Sequence, residues 1–126
     1  GLELDSYPGP LEQVIANLVS NSLTHGFAGR DTGLIRIRAV ILESDNVRID
    51  HTDDGLGIPE KMHNRIFDPF FTTNPRGGGS GLGLYIVYNL VAGVLGGTIR
   101  VHSAPGAGTT FTLTLPRSAP DRPTLE

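Results

Sequence analysis

The sequence predicts an α/β (α+β) two-layer sandwich: a mixed sheet of about five strands covered on one face by about three helices. Three observations carry this expectation. Two long stretches, Leu11 to Leu18 and Leu82 to Leu95, repeat apolar residues at helical spacing. Each is followed by a pair of stretches in which apolar and polar residues alternate. The chain has 126 residues, 38% of them hydrophobic, enough for one domain around one core.

The elements follow in order. Pro8 and Pro10 close an extended start and open the first helix, where a missing N–H does no harm. Leu11, Val14, Ile15 and Leu18 share one face; Gln13, Asn17, Asn21 and Thr24 share another. This helix should run from about Pro10 to Thr24 and stop near Gly26. In the first strand Ile35, Ile37, Ala39 and Ile41 alternate with Arg36 and Arg38. In the second, Val47, Ile49, His51 and Asp53 alternate with Arg48, Asp50 and Thr52. Each should set one face on the core and one in water, which turns Asp53 and His51 inward. Gly55 and Gly57 then turn the chain, and Pro59 opens a short helix through Arg65. Ile66 to Gly81 is rich in Gly and Pro and should be a long functional loop. The second long helix spans Leu82 to Leu95 and is closed by Gly96-Gly97. Thr98 to Val101 and Thr109 to Leu115 are strands joined by the turn Pro105-Gly106-Ala107-Gly108. Residues 1–116 form the domain, and 117–126, rich in Pro and charge, read as a flexible tail.

Composition narrows the function. Net charge is −3 with no basic run, which argues against nucleic acid. Cysteine is absent, so disulfides and thiolate zinc sites are excluded. No apolar run approaches the roughly 18 residues of a membrane helix, so no membrane contact is expected of this domain. No signal-peptide pattern opens at Gly1. The 17 glycines are about twice ordinary usage, and their cluster between Gly77 and Gly83 marks a functional loop.

Three short motifs point to a nucleotide. Asn17 and Asn21, four apart, are neighbours on a helix and offer hard carboxamide oxygens suited to Mg²⁺. Asp53 ends a strand before glycines that let backbone approach a ligand. Its ionised carboxylate only accepts hydrogen bonds, which suits the amine of adenine and repels the oxygen of guanine. Gly79, Gly81 and Gly83 precede a helix, where free N–H groups favour phosphate. The P-loop pattern fails, because the sole Lys, Lys61, follows Glu60; the Rossmann spacing fails at Leu82 and Leu84.

The ordered set resembles the ATP-binding catalytic domain of two-component sensor histidine kinases, a branch of the GHKL (Bergerat-fold) ATPases. Asn17 to Asn21 matches the N box, Asp53 to Gly57 the first glycine box, and Ile66 to Thr73 the F box. Gly79 to Leu84 matches the second glycine box, and Gly106 to Phe111 the usual end of the domain. The likeness runs from about Leu2 to Pro116. It implies that Asp53 reads the adenine amine with support from Thr109, and that Asn21, assisted by Asn17, holds Mg on the phosphates. Phe67 to Ser80 would form a mobile ATP lid anchored by Phe70 and Phe71, with Leu82 and Leu84 packed behind the phosphate loop. The implied ATP contacts further include His25, Gly55, Gly57, Ile58, Thr72, Thr73, Arg76, Gly79, Ser80, Gly81 and Gly83. Asn17 stands where hydrolase relatives place a water-activating Glu; lacking basicity, it favours phosphoryl transfer over hydrolysis.

The chain departs from the pattern at Asn74, where relatives carry Lys and Arg76 is the nearest replacement charge. Thr24 and His25 stand where Lys and Tyr are usual. His25 is read either as a phosphate or nucleotide contact or as an exposed helix-end residue, and His51 as a satisfied core histidine. Neither these nor His63 and His102 sit in a heptad helix with an acidic residue after them. The implied phosphoacceptor His therefore belongs to a separate dimerisation domain of the parent kinase, which is expected to be a homodimer with this fragment monomeric. The implied downstream partner is a response regulator and the implied location cytoplasmic, with any membrane anchor elsewhere in the parent. The alternative is a regulatory module that binds ATP or ADP without phosphotransfer.

Overall fold

The computed structural model describes residues 4–71 and 81–120. Helix α1 spans Pro8–Asn21, with Pro8 in its first turn. The Leu11 N–H donates to the Tyr7 carbonyl four residues back at 3.0 Å, closing the first helical turn. The helix does not simply fray near Gly26. It widens into a π turn over Ser22–Gly26, in which the Phe27 N–H reaches back five residues to the Ser22 carbonyl at 2.8 Å. Helix α2, Gly83–Asn89, does the same, passing into a π turn at Leu90–Val94. The short helix after Pro59 is a single 3₁₀ turn, Glu60–Met62.

Strands β1 (Ile35–Ile41), β2 (Asn46–Asp53), β3 (Thr98–Ser103) and β4 (Thr109–Pro116) form one sheet in the order β1-β2-β4-β3. All three pairings are antiparallel. The one parallel pairing among the described residues is the isolated bridge between Asp5 and Ser118. The α/β two-layer architecture is therefore present, with four strands and an antiparallel sheet.

β2 and β4 lie in the middle, and both alternate buried with half-buried residues along their whole lengths. Val47 and Ile49 of β2 and Phe111, Leu113 and Leu115 of β4 pack under Val14 and Leu18 of α1 and under Val87, Val91 and Leu95. Phe67 adds an edge-on contact to Phe111, with ring centroids 6.3 Å apart. β1 departs from its sequence pattern. Its inward-parity residues Ile37 and Ile41 are each 47% exposed, because β1 is an edge strand beyond the reach of the covering helices. Alternation records which residues share a face, not whether anything covers it.

Hydrogen bonding continues past Pro116. The Arg117 carbonyl accepts from the Asp5 N–H, and the Ala119 N–H donates to the Asp5 carbonyl. Residues 117–120 thus close against the start of the chain, where the sequence reads as tail. Among the described residues no helix is long and apolar enough to cross a membrane.

Candidate nucleotide-binding site

A cavity of about 470 Å³ opens between α1 with its π turn, the segment that follows β2, and the start of α2. Of the residues expected to hold nucleotide or metal, Asn17, Asn21, His25, Asp53, Gly57, Ile58, Gly81, Gly83, Leu84 and Thr109 line it. Thr72, Thr73, Arg76, Gly79 and Ser80 lie outside the described residues, as does most of the expected lid.

Asp53 is 3% exposed at the end of β2, which is where period-two parity places it. Two donors hold its carboxylate. The Gly55 N–H reaches Oδ1 at 2.9 Å, and the Ser22 hydroxyl reaches Oδ2 at 2.7 Å. Gly26 forms the adjoining wall, where a Cβ would stand 3.0 Å from Oδ2. Gly55 does not line the cavity. It is pressed against Gly26, whose carbonyl oxygen would lie 2.3 Å from a Cβ at Gly55.

Thr109 is paired with Asp53 across β2 and β4. Its hydroxyl lies 2.9 Å from that of Ser103. The Ser103 oxygen accepts from the Ile58 N–H at 2.7 Å and donates to the Gly108 carbonyl at 2.7 Å. With its one proton committed there, Ser103 must accept from Thr109. The Thr109 oxygen then keeps its lone pairs for the cavity. The site thus presents acceptors from both residues.

Helix spacing brings a second polar pair to the same cavity. Asn17 and Asn21 sit one turn apart on α1 and share the cavity face. Asn17 Nδ2 donates to the Gly83 carbonyl at 3.3 Å, joining α1 to the first turn of α2, and its Oδ1 accepts from Gln13 at 3.2 Å. Among the described residues no three His, Cys, Asp or Glu side chains cluster as a metal site. Two carboxamides fit an ion that keeps most of its waters and shares phosphate oxygens, as Mg does. A Cβ at Gly83 would meet no atom within 4 Å, so backbone there is open to a ligand. Leu84 packs against the core, as expected of a residue behind a phosphate loop.

Several expected roles change. Phe70 cannot anchor a lid by burial, since it is 72% exposed, has a φ of 66° and stands outside the cavity lining. Its N–H instead fastens to the Gly81 carbonyl at 2.8 Å. Phe71 does pack against the core, under the guanidinium of Arg65. His25 is half-buried, and burial lowers its pKa from 6.5. Its Nδ1 is sealed off without a partner. His51 is fully buried, as parity requires, yet neither ring nitrogen is hydrogen-bonded, so it is not the satisfied histidine the pattern suggests.

Sequence reasoning missed Ser22 and Ser103, which orient the two acceptors. Ser103 shares inward parity with Val101 and so carried a signal; Ser22 carried none beyond following Asn21. It also missed the clasp beside Asp53. Arg30 lies over the Phe27 ring and donates to the Asp54 carbonyl at 2.6 Å. The Leu34 N–H, and then Arg30, hold the Asp54 carboxyl below the usual carboxylate range.

Comparison with known proteins identifies the family. Residues 7–119 match the family described as histidine kinase-, DNA gyrase B- and HSP90-like ATPases. The sensor histidine kinase ZraS of Escherichia coli is 43% identical over 115 residues, covering 90% of this chain and 23% of that protein. The sensor-like histidine kinase SenX3 of Mycobacterium tuberculosis is 42% identical over 110 residues, covering 84% of this chain and 26% of that one. The chain thus spans about a quarter of the length of these curated relatives. Among solved structures, the catalytic domain of histidine kinase ThkA superposes with a TM-score of 0.74 at 30% identity, covering 90% of this chain and 71% of that chain. Full-length ShkA in complex with AMPPNP gives 0.75 at 29%, covering 92% of this chain and 23% of that one.

Proposed function

The chain belongs to the histidine kinase-, DNA gyrase B- and HSP90-like ATPase family, as an ATPase domain of the sensor histidine kinase kind, and from that premise we propose that it binds Mg-ATP in this cavity and passes the γ-phosphoryl group to a histidine on a separate dimerisation domain. The observation that carries the reading is the polarity of the cavity. Buried acceptors, Asp53 and Thr109, and two carboxamides, Asn17 and Asn21, line one cavity.

Asp53 accepts from the exocyclic amine of adenine, and the acceptor on Thr109 supports it. Guanine, with an oxygen at that place, meets like polarity and is rejected. Gly81, Gly83 and the first turn of α2 offer backbone N–H groups to the phosphates. Asn21 and Asn17 hold Mg, which supplies charge neutralisation to the phosphates when bound. Asn17 has no basicity with which to activate water, so the site positions a phosphoryl group for transfer. None of the four histidines presents itself as the acceptor. His25 and His51 are turned inward, His63 Nε2 is bonded to the Ile58 carbonyl, and His102 lies on edge strand β3. The receiving His and the response regulator beyond it belong to other domains and partners.

Calorimetry with Mg-ATP and Mg-GTP tests this reading. A charged hydrogen bond contributes about 1.5–3 kcal/mol, so Asp53→Asn should weaken ATP roughly ten- to a hundredfold. Wild-type selectivity for ATP that Asp53→Asn abolishes supports the site. Equal binding of ATP and GTP would refute it.

A further inference from the structure

We propose that Ser22 is a positioning residue for base recognition: its buried hydroxyl holds the Asp53 carboxylate in the orientation that reads an exocyclic amine. The inference rests on the reading of Asp53 just given and adds a residue that none of the recognised motifs uses as a ligand.

Ser22 is fully buried and does not line the cavity, so it cannot touch a nucleotide. It acts only through its 2.7 Å bond to Asp53 Oδ2. A carboxylate at a strand end can rotate about its last torsion, which is broad and roughly two-fold. Here the rotation is stopped at both oxygens, by Gly55 N–H at Oδ1 and by Ser22 at Oδ2. The Ser22 proton is spent on Oδ2, so Ser22 offers no competing donor to the base.

In a regular helix a buried serine commonly returns its proton to the carbonyl four residues earlier. Ser22 keeps helical backbone angles, φ −62° and ψ −43°, and its hydroxyl donates to Asp53 instead. Ser22 also directly follows Asn21. Its bond to Asp53 therefore ties the helix that carries the two carboxamides to the strand that carries the base-reading carboxylate. Both parts of the site are referenced to one hydrogen bond.

The test compares Mg-ATP with the Mg complex of purine riboside triphosphate, which lacks the exocyclic amine, on the whole chain by calorimetry. Wild type should prefer ATP. Ser22→Ala should weaken ATP roughly three- to tenfold and leave the amine-free analogue unchanged, because a fixed acceptor matters only to a donor. Equal losses for both ligands would mean that Ser22 merely supports the helix and would overturn the proposal, as would no loss for either. Should Ser22→Ala not fold, Ser22→Cys, with similar size and a weaker donor, decides by the same ratio. Failure of the Asp53 reading itself would show separately, as no preference for ATP in the wild type.

Discussion

His51 shows how one residue can cost stability where parity alone would call it well placed. It lies on the core face of β2, opposite Ile37 of β1 and Phe111 of β4. Both ring nitrogens are buried without partners. Burial lowers its pKa from 6.5; the Asp53 charge, and a contact with its own backbone too poorly aligned to count as a hydrogen bond, oppose that only in part. The sign follows. Below pH 6.5 the unfolded chain binds a proton at this residue more readily than the folded one does. Its unfavourable contribution therefore grows as pH falls through that value, and levels off below the lowered folded-state pKa. His51→Leu should raise stability by about 1–3 kcal/mol by removing unsatisfied polar atoms. It should also flatten the decline below pH 6.5, as urea unfolding followed from neutral pH down to about pH 5 would read. A variant that stays as steep as wild type would place the acid sensitivity elsewhere.

At the scale of elements, the site depends on turns that pack backbone against backbone. Gly108 has a φ of 76°, and a Cβ there would stand 2.1 Å from the Asp53 carbonyl. Gly57, with a φ of 77°, would meet the Ala104 carbonyl at 1.9 Å. These two glycines let the β3–β4 turn close on the loop after β2, which the Gly106 N–H fastens to the Leu56 carbonyl at 2.7 Å. Gly108→Ala is therefore expected to cost about 1–3 kcal/mol in strain alone. Because Thr109 follows directly, ATP affinity should fall with it. Thermal unfolding and calorimetry on the same variant would show both losses together; lost stability with unchanged affinity would separate the turn from the site. The π turns at the ends of α1 and α2 act at the same scale. At α1 the turn opens at Ser22, the C-cap residue of the helix, which bonds to Asp53 from helical backbone angles.

The molecule as a whole is a two-layer fold with an unequal sheet. The helices cover β2 and β4, while β1 is left as an edge strand with exposed isoleucines. Residues 117–120 return to the start of the chain through Asp5, and the Tyr7 hydroxyl donates to the Pro120 carbonyl. Truncation after Pro116 would remove those bonds. The phosphoacceptor defines the last prediction. Incubated with labelled ATP, the chain alone should acquire no acid-labile label, and label should appear on a supplied histidine-bearing dimerisation domain from the parent kinase. Label on the chain itself, lost with a substitution at His63 or His102, would overturn the assignment. ATP binding with no transfer to that domain would favour the purely regulatory module.

The sequence by itself determined the two-layer class, the inward turn of Asp53 and His51, and the pairing of Asn17 with Asn21 on one helix face. These are properties of local period and residue type. Period two assigns a face and helical spacing makes neighbours, whatever the rest of the chain does. Only the tertiary structure decided which faces are covered. Nothing along β1 records that it ends as an edge, and nothing in the aromatic pair Phe70-Phe71 says which ring is buried. The serines that aim the acceptors were equally hidden, since Ser22 meets Asp53 across 31 residues of chain. Contacts at that separation are set by how the elements pack, and a short motif carries no record of them.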